Sequence, residues 1–157
     1  MYQIVHGSAG LLIGSQTGNP WLAFILGFLS HFILDAIPHD SLEIKNWQDR
    51  GNYIKKIASE AIIDLLLFLG LFFLLWQNNL VEPTWAMGAG ILGALLPDYI
   101  WGLGEFFKIE NKWLEKFKHL HNLDHTLLHK NIYIPLKYGL PIQLFFVVIF
   151  IVLFLVL

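Results

Sequence analysis

The chain has 157 residues, enough for one domain and short for two, of which 56% are hydrophobic, 15% aromatic and only 14% charged. Soluble proteins carry about 25% charged residues, so an ordinary soluble surface is excluded, and a net charge of −2 excludes the clustered basic face of a general nucleic-acid binder. The absence of cysteine excludes disulfides and thiolate metal sites.

The apolar residues come in blocks, and these predict an all-α, multi-pass membrane bundle of about five helices forming one domain over 1–157. The opening "MYQIVHGSAG" has no basic leading segment, so no cleavable signal peptide is expected. A short first helix over 4–15 is expected to be only partly inserted. The second covers 20–37, where "PWLAFILGFLSHFILDAI" holds one acid and one histidine. A polar loop, "HDSLEIKNWQDRGNYIKK", leads to a third helix over 57–76 and then the turn "QNNLVEP". The fourth covers 84–103 and contains "GALLPD"; the fifth covers 138–157 and carries no charge from position 141 onward. Runs of roughly 17 to 25 apolar residues have the length needed to cross a bilayer as helix. Before the last helix, "EFFKIENKWLEKFKHLHNLDHTLLHK" interleaves aromatics and leucines with lysine and glutamate, the pattern of an amphipathic interfacial helix.

Basic residues set the expected orientation. Lys45, Arg50, Lys55 and Lys56 belong to the first long loop, and Lys108, Lys112, Lys116, Lys118, Lys130 and Lys137 to the second, while the 77–83 turn has none. Both basic segments, and the amphipathic helix with them, are therefore expected on the cytoplasmic side of the cytoplasmic (inner) membrane. The N-terminus is expected inside and the C-terminus outside. Residues 19–37 also overlay 82–100 at an offset of 63, with Pro20 on Pro83, Gly27 on Gly90 and Asp35 on Asp98, which suggests an internal repeat.

With that topology the ionisable residues collect on one side. An ionised group inside a membrane segment costs a few kcal/mol, yet the chain keeps His6, His31, Asp35, His39, Glu60, Asp64, Asp98, His121, Asp124, His125 and His129 toward the cytoplasmic ends, against Glu82 alone at the other. His31/Asp35, Asp35/His39, Glu60/Asp64, His121/His125 and His125/His129 are each four apart, one helical turn on one face. Imidazole and carboxylate at that spacing suit a divalent ion, with Zn²⁺ first and Mn²⁺ or Fe²⁺ as alternatives. Eight helical residues span about 12 Å. A straight helix therefore cannot bring His31, Asp35 and His39 to one ion: either the helix breaks at Pro38 or Asp35 bridges two ions, and the dinuclear site is favoured. Bland roles compete for some of these groups. Glu60 can pair with Lys56, the histidines after Lys118 suit a headgroup region, and Asp40, Glu43 and Asp49 read as solvated loop charges.

"SHFILDAIPH", "GALLPD", "HGSAG" and "HNLDHTLLH" together resemble the membrane-bound metal-dependent hydrolases of the YdjM-like group. Its N-terminal His, G-x-L-L-P-D turn, H-R-G-x-T-H-S helix and S-H-x-x-x-D helix correspond here to His6, Asp98, His121 and His125 with Thr126, and His31 with Asp35. The S-H-x-x-x-D element here precedes L-L-P-D, the reverse of that group's order, and Asn122 stands in place of its arginine. The resemblance implies a helical membrane domain around a metal centre. His31-x-x-x-Asp35 followed by Pro38 and His39 also looks like the histidine–aspartate helix of zinc-dependent phospholipases C, with spacing that differs by two residues.

These features lead to the expectation of a membrane-embedded metallohydrolase acting on a lipid or lipid-linked (phospho)ester at the cytoplasmic leaflet. His6, His31, Asp35, His39, Asp98, His121, His125 and His129 are the expected ligands, and Glu60 or Asp64 the expected general base or a further ligand. Two other classes fit the same residues: a metal- or proton-handling transporter, and a structural membrane protein stapled by its metal.

Overall fold

The computed structural model of the chain describes residues 1–39, 42, 46–47, 53–127 and 134–157. Among them the structure is all-helical: α1 (Gln3–Thr17), α2 (Pro20–Asp35), α3 (Tyr53–Gln77), α4 (Trp85–Phe106), α5 (Lys112–Leu127) and α6 (Leu136–Val156).

Local chemistry places the ends. Gly18 closes α1 in the left-handed conformation, with φ 62°, which a residue without Cβ adopts freely. Asn19 then starts α2 by accepting from the amides of Trp21 and Leu22, with Pro20 in the first turn, where its missing N–H costs nothing. Thr84 caps α4 through the Met87 amide at 3.2 Å. The expected second helix ran to 37; α2 stops at Asp35, three residues before Pro38.

Among the described residues three helices are long and apolar enough to cross a membrane: α3, α4 and α6. The expectation of five spans is corrected to three by length. With 15 and 16 residues, α1 and α2 reach only about 22 to 24 Å against a hydrocarbon core of about 30 Å. They form a hairpin in which α1 is enclosed by the other helices while α2 leaves Trp21, Ile25, Leu29 and Ile33 exposed on its outer face. α1 packs against α2, α3, α4 and α6, and its residues from Val5 to Leu11 are all buried. A helix enclosed by protein can hold Gln3, His6 and Ser8 without facing lipid. The large apolar side chains of α3 and α6 point the other way, and Leu66, Leu67, Phe73, Leu144, Phe145 and Val152 are exposed on the outside.

The direction of each helix follows from its contacts. Gly7 lies against Phe68, and Leu11 joins Leu75, Leu71 and Ile151, so α1, α3 and α6 run the same way. Gly10 meets Gly90 and Gly14 meets Met87, so α4 runs opposite to α1. Gly27 meets Gly90, and the His31 ring meets the Ala94 carbonyl, so α2 and α4 are parallel and in register at the offset of 63 seen in the sequence. The starts of α1, α3 and α6 therefore share one end of the bundle with the finishes of α2 and α4. At that end α5 lies on the last turn of α4, where Leu114 packs onto Gly104 and Lys118 pairs with Glu105 at 2.8 Å.

α1, α2 and α4 touch backbone to backbone. A Cβ on Gly27 would lie 2.3 Å from the Gly90 carbonyl oxygen, and one on Gly93 would lie 2.2 Å from that of Phe24. Small residues that admit such approach are the usual means of packing helices in lipid, where apolar burial gives no driving force between them. Gly93→Leu should therefore lower the thermal midpoint of the purified protein, by an overpacking cost of about 1–3 kcal/mol or more. Gly88→Ala, with no atom within 4 Å of the added Cβ, should leave it unchanged or raise it slightly.

Candidate metal centre

Four side chains from three directions converge at the shared end of α1, α2 and α4. His31 and Asp35 come from adjacent turns of α2, Asp98 from the turn after Pro97 in α4, and His121 from α5. The backbone contact of α2 with α4 puts Asp35 and Asp98 at the same depth. α5 supplies His121 because Leu114, Lys118 and His121 repeat every three to four residues, so the face seated on Gly104 and Glu105 also faces inward two turns later.

The His31 ring is held by its Nδ1, which donates to the Ala94 carbonyl at 2.9 Å. A carbonyl only accepts, so Nδ1 carries the hydrogen and a neutral ring presents its lone pair at Nε2. That atom lies 3.1 Å from Asp35 Oδ2, 3.3 Å from His121 Nε2 and 3.7 Å from Asp98 Oδ1. His121 Nε2 is 3.2 Å from the same Asp98 oxygen. Two ring nitrogens and two carboxylate oxygens thus share one volume, all within 4.8 Å of one another. Where both rings present lone pairs such a set repels itself, and either a proton on an imidazole or a metal cation among the four relieves it.

The spacing also fits a cation. Tetrahedral ligands about 2.0–2.2 Å from a Zn²⁺ ion stand about 3.3 to 3.6 Å from each other; four of the six separations in the group run from 3.1 to 3.7 Å, and the remaining two lie within 4.8 Å. The contact of His31 with a backbone carbonyl is the usual support of a metal-binding imidazole, which fixes its tautomer and ring plane. The His/Asp cluster of His31, Asp35, Asp98 and His121 has the donors and the geometry to hold a metal ion; it is the one such group among the described residues.

Surrounding residues orient the four. His6 stacks on His31, with ring centroids 4.3 Å apart, and its Nε2 donates to Asp35 Oδ1 at 3.0 Å. The Met1 amino group contacts that same oxygen. His6 therefore stands behind Asp35, on the oxygen facing away from the group. Trp101 stacks on His121 at 5.8 Å and 20°. His31, Asp35 and His121 are at most 4% exposed, whereas the Asp98 side chain is 28% exposed, so the cluster opens to its surroundings at Asp98.

The other expected site residues stand elsewhere. His39 is buried beyond the end of α2, its Nδ1 donating to the Ile37 carbonyl at 2.8 Å, and is not one of the four. Because α2 ends before it, the eight-residue span that argued for two ions does not arise. Glu60 is half-buried on α3 and Asp64 buried one turn later; neither belongs to the group. The Asp64 carboxylate instead accepts from the backbone amides of Gln3 and Ile4 at the start of α1. The side chain of His125, like the whole of His129, lies outside the described residues. Charge spacing did not single out Gln3, Tyr99, Gln143 and Trp101. The first three are polar groups in otherwise apolar helices, so the rule applied to buried charges would have found them had it been extended to amides and phenols.

Purified protein should carry divalent metal, measured as metal-to-protein ratio by plasma mass spectrometry. Asp35→Ala and His31→Ala should each bring that ratio close to zero, while Glu82→Ala, at the far end of the bundle, should leave it unchanged. Comparison of the chain with protein-family models, with curated proteins and with solved structures gives no match.

Proposed function

We propose that the protein is a membrane-embedded, metal-dependent hydrolase whose centre is one Zn²⁺ ion held by His31, Asp35, Asp98 and His121. The observation that carries this reading is the convergence of four electron-pair donors, two of them charged, in the interior of an apolar bundle. Burying carboxylates there without a compensating cation is costly. The resemblance to the YdjM-like hydrolases, through His6, His31, Asp35, Asp98 and His121, supports the same reading. A single ion accounts for the four ligands, and the oxygen of Asp35 that a second ion would use already meets His6 and the Met1 amine.

A bound Zn²⁺ ion supplies Lewis acidity, which activates water near neutral pH and polarises an ester or phosphoryl oxygen. The chain's own residues prepare the place for that chemistry. Ala94 fixes the His31 ring, Trp101 and Phe117 flank the His121 ring, and His6 holds the outer oxygen of Asp35. The exposed side of Asp98 leaves an approach for substrate. The rim at this end carries exposed Lys55, Lys56, Lys108, Lys112, Lys116 and Lys137, and α5 adds the stacked pair Trp113 and Phe117. Lysine with aromatics suits the headgroup layer of a membrane leaflet. By the positive-inside rule that leaflet is the cytoplasmic one, the N-terminus lies on its side and the C-terminus opposite. The substrate class that fits is a lipid or lipid-linked (phospho)ester whose scissile bond sits among headgroups.

The test is hydrolysis of phospholipid extracts by the reconstituted protein. Activity should vanish with a chelator, return with zinc, and fall at least 100-fold in Asp98→Ala. Zinc flux into sealed vesicles without hydrolysis would replace the reading with a transporter. Metal binding with neither activity, and a thermal midpoint that drops on chelation, would replace it with a structural staple. Because the chain has no cysteine, orientation is open to labelling: Lys116→Cys should be shielded from an impermeant thiol reagent in intact cells, and Gln16→Cys should react.

A further inference from the structure

The amide groups that begin α1 are not left to water. The Gln3 and Ile4 amides both donate to Asp64 on α3, and the Tyr2 amide donates to Gln143 Oε1 on α6 at 2.6 Å. The Gln3 side chain extends the network: its Nε2 donates to the Ala61 carbonyl at 3.1 Å, and its Oε1 accepts from the Tyr99 hydroxyl at 2.8 Å. Tyr99 follows Asp98 directly. Asp64 is 6% exposed and Gln143 2%, so these are interior contacts in a bundle whose outer surface is apolar.

A buried carboxylate on the first free amides of a helix is stabilised twice, by charge-assisted hydrogen bonds and by the positive end of the helix dipole. Its value here is positional. α1 meets α4 through Gly10 and Gly14, where an added Cβ would fall 2.5 Å from the Gly90 carbonyl and 2.4 Å from the Met87 Cα. These glycine contacts set how closely α1 approaches α4, and the contacts of Asp64 and Gln143 fix where its first turn stands along the axis. His6 lies only two residues beyond Ile4, about 3 Å along the axis. A slide of roughly 1 Å would take its 3.0 Å contact with Asp35 out of hydrogen-bond range.

We infer that Asp64 is a positioning residue for the metal centre: by receiving the Gln3 and Ile4 amides it fixes where α1 begins and so where His6 meets Asp35, and Gln3 carries the same constraint to Tyr99 beside Asp98. The inference rests on the metal-centre reading above and assigns Asp64 work through His6 rather than contact with metal or substrate. Loss of a partner behind a metal ligand typically weakens metal binding 10- to 100-fold.

Zinc affinity of the purified protein, measured by competition with a chromogenic chelator, tests this. Asp64→Asn should weaken binding about tenfold or more, and Tyr99→Phe, a smaller change that keeps the ring in place, should weaken it several-fold with helicity unchanged. Combined with His6→Ala, Asp64→Asn should add little to the loss from His6→Ala alone, since both act on the same oxygen of Asp35. Zinc affinity unchanged in both Asp64→Asn and Tyr99→Phe, or full additivity with His6→Ala, would overturn the positioning role while leaving the metal centre intact. Absence of zinc binding in the unsubstituted protein would overturn both.

Discussion

Two carboxylates and two imidazoles meet inside an apolar bundle, and that meeting is the constraint to which the rest of the molecule answers. Asp35 and Asp98 repel each other and lose water together, a combination that interiors tolerate only around positive charge. The parallel, glycine-faced contact of α2 with α4 brings them to one depth. The same contact sets the His31 ring against Ala94, so the packing that creates the electrostatic problem also turns a nitrogen lone pair toward it. A cation held among the four would resolve both at once, which is what the proposed metal centre supplies.

The polar interior also explains the architecture. α1 is too short to span a bilayer and too polar to face lipid, yet it is the helix most enclosed by the others. α3 and α6 supply the apolar exterior and reach inward with single polar groups, Asp64 and Gln143, at the level where α1 begins. The protein is thus layered: a central helix with histidine, serine and glutamine, α4 packed on it through glycine, α2 packed in turn on α4 through glycine, and the apolar faces of α3 and α6 turned outward. At one end that central helix meets the His/Asp cluster that could hold a metal ion, and α5 covers it with His121 while leaving Asp98 accessible.

Much of the centre was legible from spacing. The four-residue interval from His31 to Asp35 places two ligands on one helix face whatever the surroundings, and Asp98 stood out because an acid in an apolar run is expensive without a partner. The separation of charged residues by bundle end could be read from the lysines and the loop pattern. The role of Asp64 could not, because spacing paired it with Glu60 and says nothing of backbone amides sixty residues away. The position of His6 behind Asp35 was equally hidden: a histidine near one end of a helix can stand in either shell of a metal, and only the rotation and register of α1 choose.

The sequence by itself determined that this chain is helical, apolar enough for a membrane, and asymmetric in its charge, because those properties are local and follow from composition and a period of 3.6 residues. Tertiary structure alone decided how many helices have the length to span, that α2 stops at Asp35 so that His39 lies off the helix, and which four of the candidate residues stand within 4.8 Å. Those outcomes depend on how closely α1, α2 and α4 approach. That approach is set by glycines whose effect exists only when another backbone lies against them.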